Sequence, residues 1–448
     1  MFQGEIGEME RERKWQPIRV LRIITAVGGI ITISLAFALD WLGFGRPGSF
    51  GIGQVLLLVV GILGLLIALL GKKTIALYRD VAVILLNTIV LLIFLELAAI
   101  VFARSNQHYI NDTESLPYYA KQDWTEEYFR EAFEAEQFRY EPYVIWRHYP
   151  FNGSLMNLNQ EGFRKTPDSE CTGDAFTVFA FGGSTMLGWG SPDWGTITAY
   201  LQSNLAENSE ESVCVVNYGQ SGYVFTQSSI ALLNLLQADT IPDIVIFYDG
   251  VNEVQAAYES GKAGTPVNLA PITDRFAQSE HPLVTFVKST RMFALAKNWV
   301  MQRAQANNEQ RIILNYQSQG VNKDILARAV ADHYLDNYDL IEHLSKEYGF
   351  DYFFFLQPHL TRGNKTLTQE EQKMLSEMTP AYVELARTIY DDILISLPDH
   401  NNLWNLEHSF DDEKQQIWID TGGHVTPEGN SLVAHEIILV LEAEMLGK

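Results

Sequence analysis

The sequence predicts an α/β domain built on a parallel sheet with helices on both faces, preceded by three membrane-spanning helices. Two observations carry this. From Phe176 onward, short apolar runs rich in aromatic and β-branched residues alternate with stretches of helical periodicity, the pattern of βαβ units. Ahead of them, the chain opens with three apolar runs, each about long enough to cross a bilayer core.

The apolar runs are Ile23 to Leu42, Phe50 to Leu70 and Val81 to Phe102, too closely spaced for soluble domains between them. A cleaved signal peptide would account for the first alone. Arg11, Arg13, Lys14, Arg19 and Arg22 precede the first run, and Lys72, Lys73 and Arg79 separate the second from the third. Only Arg46 lies between the first and second. The positive-inside rule then predicts a multi-pass membrane protein. Residues 1–22 form a cytoplasmic segment, residues 23–103 a three-span region, and everything after Arg104 is extracytoplasmic. Glu96 falls within the third run, where an ionisable group is either functional or turned toward another span or the outer surface. Gly51, Gly53, Gly61 and Gly64 would let the second span pack closely on a neighbour.

Residues 104–170 form a polar and aromatic connecting segment. It contains an acidic helical piece around Trp124–Phe138, an extended stretch from Tyr140 to Pro150 and a turn at Asn159–Arg164. Such a segment braces the following domain or forms one wall of a substrate site. Glycosylation sequons at Asn111, Asn152 and Asn364 all fall on the predicted outer side. The N-terminal 103 residues are near neutral at +2, whereas the remainder carries a net charge of −25. That acidity argues against nucleic acid and against docking on anionic lipid.

The domain from 171 to 448 begins with the strand Phe176–Phe181 and the turn Gly182-Gly183-Ser184, followed by a helix to about Leu201. Strands follow at Ser212–Asn217, Asp243–Tyr248 and Asp351–Leu356, with a short one at Leu403–Leu406. Helices are predicted over Ser229–Gln237, Asp324–Tyr348, Glu370–Ile395 and Pro427–Leu446, where Pro427 suits a first turn. Residues 254–323 interrupt the rhythm with several glycines and prolines and a helical stretch from about Leu283 to Gln305. Lying beside a strand's carboxyl end, they are a candidate lid or substrate-selecting cap, with a packing embellishment as the alternative. The chain has two cysteines, Cys171 ahead of the first soluble strand and Cys214 early in the second. Consecutive strands are commonly neighbours, so both lie near one edge of the sheet, where a disulfide outside the cytoplasm is permitted, with separate thiols the alternative. No Cys/His spacing of a zinc site occurs, so neither metal nor cofactor is expected.

Four turns carry the chemistry. They are Gly182-Gly183-Ser184-Thr185, Asn217 to Tyr223, Asp249 to Glu253, and Asp420 to Asn430. In a parallel sheet the carboxyl ends of successive strands converge on one crevice. Ser184 is a useful nucleophile only beside a base; His424 can supply one, and Asp420 can orient the imidazole. The N–H of Ser184, the N–H of Gly222 and the amide of Asn252 could receive a tetrahedral oxyanion. Each residue has a plainer reading: a capping serine, a turn glycine, a helix-capping asparagine, a helix-end histidine. The order of all four, each at a strand end or helix start, favours one site.

These blocks resemble those of the SGNH (GDSL-type) hydrolase superfamily over roughly Phe176 to Leu446. Phe181 to Thr185 is similar to a first block in which Gly-Gly-Ser replaces Gly-Asp-Ser. Asn217–Gly222 resembles the second block, Gly250–Glu253 the third, and His424 with Thr426-Pro427-Glu428-Gly429-Asn430 the last. The departure is the acid. The family places its Asp three residues before the His, where this chain has Thr421 and the nearest acid is Asp420. A bulge at Gly422-Gly423 would restore the contact; otherwise Asp411 or Asp412 substitutes, or the dyad runs without an acid. The resemblance implies a flavodoxin-like α/β/α sandwich, no metal, and hydrolysis of ester bonds through an acyl-enzyme. The leading expectation is a membrane-anchored serine esterase with an ester-bearing small molecule, lipid or glycan as substrate. An O-acyltransferase acting on envelope glycans and a non-catalytic glycan-binding relic are the alternatives. A Gly-x-Ser-x-Gly elbow fits poorly because Met186 occupies its last position, and no Gly-Lys-Ser/Thr supports a phosphate loop.

Overall fold

A computed structural model describes residues 2–38, 52–69, 72–105, 113–209, 211–277, 315–397 and 400–446, with isolated positions between 287 and 296. The chain divides into two compact units, Met1–Gln107 with Pro282–Gln302, and His108–His281 with Arg303–Lys448.

The first unit contains α1 (Phe2–Ala38), α2 (Ile52–Leu69) and α3 (Lys72–Ser105). Two described stretches, Arg19–Ala38 and Arg79–Val101, are long and apolar enough to cross a membrane; the apolar part of α2, Gln54–Leu69, is shorter. The expectation of three full-length spans is thus met at two. The second predicted run began at Phe50, and residues 39–51 lie outside the described ones. Apolar side chains such as Ile84, Leu86 and Phe94 of α3 are exposed, a surface that suits lipid rather than water. Gly61 and Gly64 of α2 face Gly29 of α1: a Cβ on Gly61 would come within 2.9 Å of the Gly29 carbonyl oxygen. Small residues therefore let these backbones touch. The Glu96 carboxylate accepts the backbone N–H groups of Arg291 at 2.5 Å and Met292 at 3.0 Å, which gives this charge backbone partners. Most of the helix expected at Leu283–Gln305 lies outside the described residues.

The second unit opens with α4 (Thr125–Ala135), the antiparallel hairpin β1 (Phe138–Glu141) and β2 (Ile145–His148), and the short pair β3 (Phe151–Asn152) and β4 (Asn157–Leu158). Then come β5 (Phe176–Gly182), α5 (Ser184–Leu187), α6 (Ile197–Asn208), β6 (Val213–Asn217), α7 (Phe225–Gln237), β7 (Ile244–Asp249), α8 (Val251–Ser260) and α9 (Leu269–Ala277). The chain ends with α10 (Lys323–Tyr348), β8 (Asp351–Leu356), α11 (Gln369–Glu377), α12 (Pro380–Ile395), β9 (Leu403–Asn405) and α13 (Pro427–Leu446). The five strands pair in parallel in the order β6-β5-β7-β8-β9. Counted from β5 this is the 2-1-3-4-5 order of flavodoxin-like sheets.

Alternation along the strands builds the two cores. Phe179, Phe181, Phe247 and Phe354 point to one face, against α7, α10 and α12. Val178, Ala180, Ile246, Phe353 and Phe355 point to the other, against α6 and α13. Both faces are covered, which is why the strands read as continuous apolar runs. Cys171 and Cys214 form a disulfide with Cα atoms 5.1 Å apart.

Several sequence expectations are corrected. The helix from Ser184 to Leu201 is broken at Gly188, whose φ of +85° suits glycine, and restarts at Ile197 under a Thr196 cap. The helix over Glu370–Ile395 is two helices, because Pro380 begins a second under its own Thr379 cap. The insertion does not begin at 254. α8 continues to Ser260 and buries Val254, Ala257 and Tyr258 in the core. The helical piece at Trp124–Phe138 ends at Ala135, and Phe138 already belongs to the hairpin.

Candidate active site

The strand order reverses between β5 and β7, the position at which open α/β sheets bind ligands. Ser184 begins α5 directly after β5, and Asn252 lies in the first turn of α8 directly after β7.

Ser184 Oγ is 2.7 Å from His424 Nε2, and His424 Nδ1 is 2.6 Å from Asp420 Oδ2. The four-residue spacing is absorbed by the turn between them. Gly423 adopts φ +85°, and Asp420 Oδ1 accepts the N–H groups of Gly422 at 2.8 Å and His424 at 3.3 Å. Asp420 is thereby hydrogen-bonded on both oxygens. Burial pushes its pKa up, but the attraction of His424 and these hydrogen bonds outweigh it, so the carboxyl sits below its ordinary value. Asp411 does not substitute: it pairs with His408 at 2.7 Å and accepts the Asn364 N–H at 2.7 Å. Asn364, one of the sequons, is engaged through its side chain as well.

The Asp–His turn has a rigid base. Ile419 donates to the His424 carbonyl and Thr426 to that of Ile417, closing a short antiparallel bridge. Glu371 of α11 fixes that base by accepting the N–H of Ile417 at 2.8 Å and of Trp418 at 3.0 Å on one oxygen. Its other oxygen meets Lys365 Nζ at 2.8 Å, in a pair that is nearly inaccessible to water.

In the turn after β6, Gly222 has φ +73°, and a Cβ there would touch Trp146 at 3.5 Å. Trp146 donates its indole N–H to the Ser221 carbonyl at 2.8 Å, holding the loop that presents the Gly222 amide. Tyr223 bridges back through its hydroxyl to the Trp146 carbonyl and accepts the Asn252 amide at 2.6 Å. One Asn252 amide hydrogen is therefore spent on the loop, leaving the other for a ligand. The Asn252 amide also occupies the space where a Cβ on residue 183 would be, which requires Gly183.

The sequence reading missed the residues that fasten these loops. Arg164, read only as part of a turn, is fully buried and donates to the carbonyls of Leu187, Gly188 and Ser191 while pairing with Asp193 at 2.9 Å. It thus satisfies the carbonyl end of the short helix that starts with Ser184. Asn217 ties the second block to the first through Met186, and Asn430 ties the last helix to Ser191 and Gly195. Gln357, after β8, accepts the Val251 N–H and donates to Thr185, joining both sides of the serine. Nothing in the sequence marked Arg164 beyond its place in the turn. Glu371 stands three residues after Thr368, the spacing of a capping box, which marks a helix start but not its bonds to Ile417 and Trp418; nothing local marked Gln357. Among the described residues no cluster of His, Cys, Asp and Glu suits a metal ion.

No protein-family profile and no curated protein matches the chain. Among solved structures it is similar to a lipase from a goat rumen metagenome, at 9% identity and TM-score 0.34, over 59% of this chain and 97% of the other. It is also similar to an acetyl xylan esterase at 11% identity and TM-score 0.33, over 59% and 98%. A lipolytic protein of the G-D-S-L family from Veillonella parvula matches at 12% identity and TM-score 0.31, over 59% and 98%.

Proposed function

We propose that this chain is a serine hydrolase of ester bonds, anchored in a membrane through its N-terminal helices, with the domain that carries Ser184 outside the cytoplasm. The observation that carries the reading is the continuous hydrogen-bonded chain from Ser184 Oγ through the His424 imidazole to Asp420. Ser184 Oγ attacks the ester carbonyl carbon as His424 Nε2 takes its proton. The new oxyanion is received by the N–H groups of Ser184 and Gly222 and by the free amide hydrogen of Asn252. Collapse breaks the bond to the alcohol, which leaves with the proton from His424. Water then cleaves the acyl-enzyme by the same steps. Asp420 holds the imidazole tautomer and stabilises its cation.

The outward orientation is supported by the Lys/Arg distribution around the apolar runs and by the Cys171–Cys214 disulfide, which suits an oxidising compartment. We assign three crossings, the second through α2, and substrates among acyl esters of envelope lipids or glycans that an anchored enzyme can reach. The N-terminal segment 1–22, the three-span region 23–103, the connecting segment 104–170 and the hydrolase-like domain 171–448 are part of this proposal, with the insertion starting after α8. Transfer to a sugar hydroxyl would use the same acyl-enzyme, and comparing transfer with hydrolysis in the presence of an acceptor glycan separates the two. The full chain should hydrolyse short p-nitrophenyl esters, and Ser184→Ala should abolish turnover. Undiminished activity of that variant would remove Ser184 from the mechanism.

A further inference from the structure

A cavity of about 540 Å³ opens at Ser221 and Gly222, beside the proposed oxyanion site. Phe138, Tyr140 and Trp146 of the β1–β2 hairpin wall one side, and Pro271 and Ile272 of α9 the other. Part of its polar lining is engaged within the protein. Glu136 accepts the Ser221 hydroxyl at 3.3 Å, and Arg139 pairs with Glu141 at 3.7 Å. What remains for a ligand, apart from the side chain of Asn268, is an apolar and aromatic surface.

The hairpin that makes this surface is held in an unfavourable conformation. Ile145, which also lines the cavity, has φ +75°, an outlier for a β-branched residue. Its neighbours fasten it in place. The Val144 carbonyl accepts from Gln227 at 2.7 Å, and Trp146 is bonded at both its carbonyl and its indole. Strain kept by such surroundings clusters at ligand clamps.

Direction follows from the chemistry. His424 delivers its proton to the departing alcohol, so the alcohol leaves on the imidazole side. The other substituent of the carbonyl carbon, the acyl chain, then points away from both the imidazole and the oxyanion donors, and the apolar space beside the Ser221–Gly222 loop is the one we assign to it. An acetyl methyl is only about the size of a water molecule, roughly 30 Å³, far too small to fill this space.

We propose that the cavity between the β1–β2 hairpin and α9 binds the acyl chain of the substrate, and selects apolar acyl groups of about six carbons or more over acetyl. The assignment rests on the reading of Ser184 as nucleophile, and the test keeps the two apart. The full chain in phospholipid nanodiscs is assayed with p-nitrophenyl acetate and hexanoate, as wild type, Ile272→Trp and Ile272→Ala. The expected kcat/KM ratio of hexanoate to acetate is about tenfold or more in the wild type. Ile272→Trp should lower that ratio by a similar factor, and Ile272→Ala should shift the optimum to longer chains. In parallel, binding of methyl hexanoate to the Ser184→Ala chain is measured by saturation-transfer NMR, with and without Ile272→Trp. Binding lost with the tryptophan is the expected result. A wild type that prefers acetate, a ratio unmoved in both Ile272 variants, or no binding of methyl hexanoate overturns the cavity assignment. Binding that depends on Ile272 without turnover of either ester upholds the cavity and overturns the hydrolase reading.

Discussion

Two aspartates, each four residues ahead of a titratable partner, meet opposite fates in this domain. Asp420 precedes His424, and Asp249 at the end of β7 precedes Glu253. Asp420 is bonded on both oxygens and held below its ordinary pKa despite its burial. Asp249 is buried with no hydrogen-bond partner on Oδ2, and burial together with the charge of Glu253 pushes it well above its ordinary value. Glu253 is raised by burial as well, but the N–H groups of Phe225 and Gly250 oppose that rise, so the stronger upward push falls on Asp249, which we propose is the neutral member. Spacing in the sequence is the same; partners decide the charge. One aspartate is equipped to stabilise a cation, and the other is a neutral strut beneath the turn that carries Asn252.

Substitutions that remove these partners sharpen the contrast. Asp420→Asn should lower kcat by about 10⁴-fold, because the imidazole loses both its tautomer control and its counter-charge; steady-state kinetics on the full chain reads this. Glu371→Ala leaves Lys365 buried and unpaired and frees the N–H groups of Ile417 and Trp418. It should cost about 3–5 kcal/mol of stability, seen as a lower melting temperature, with activity falling as the Asp420–His424 turn loosens. Asn252→Ala removes one of the proposed oxyanion donors and should cost about 10²–10³ in kcat.

The smallest effect separates the two aspartates most cleanly. A raised carboxyl contributes its stability below the ordinary value of 3.8 and loses it as pH climbs through the raised value. Asp249→Asn should therefore raise the melting temperature at neutral pH, with an advantage that shrinks as the pH falls toward 3.8, while kcat holds. Asp420 has the opposite sign. Its contribution is present above 3.8 and is lost as pH falls through its lowered value. An Asp249→Asn variant that melts lower at neutral pH would contradict the neutral assignment.

The strands were legible because a sheet buried on both faces writes itself as uninterrupted apolar sequence, so Asp351–Leu356 and the helix from Pro427 could be read to the residue. The four turns were legible because each stands at a strand end or helix start, and topology brings such ends together. Breaks inside helices were not, since Gly188 and Pro380 act through local backbone geometry that apolar periodicity overlooks. The Asp420 contact depended on a single positive φ at Gly423, which spacing alone leaves open. Least visible were Arg164, Glu371 and Gln357. The backbone groups that define their roles lie more than 20 residues away, so those roles exist only once the chain is folded.

The central claim is that Ser184 is a nucleophile activated by His424. Intact-mass and peptide mass spectrometry of the full chain after exposure to a fluorophosphonate tests it directly. The account predicts one stoichiometric adduct on Ser184, lost in Ser184→Ala and slowed severely in His424→Ala. A folded wild-type chain that takes no label at Ser184, or labels as fast without His424, would contradict it.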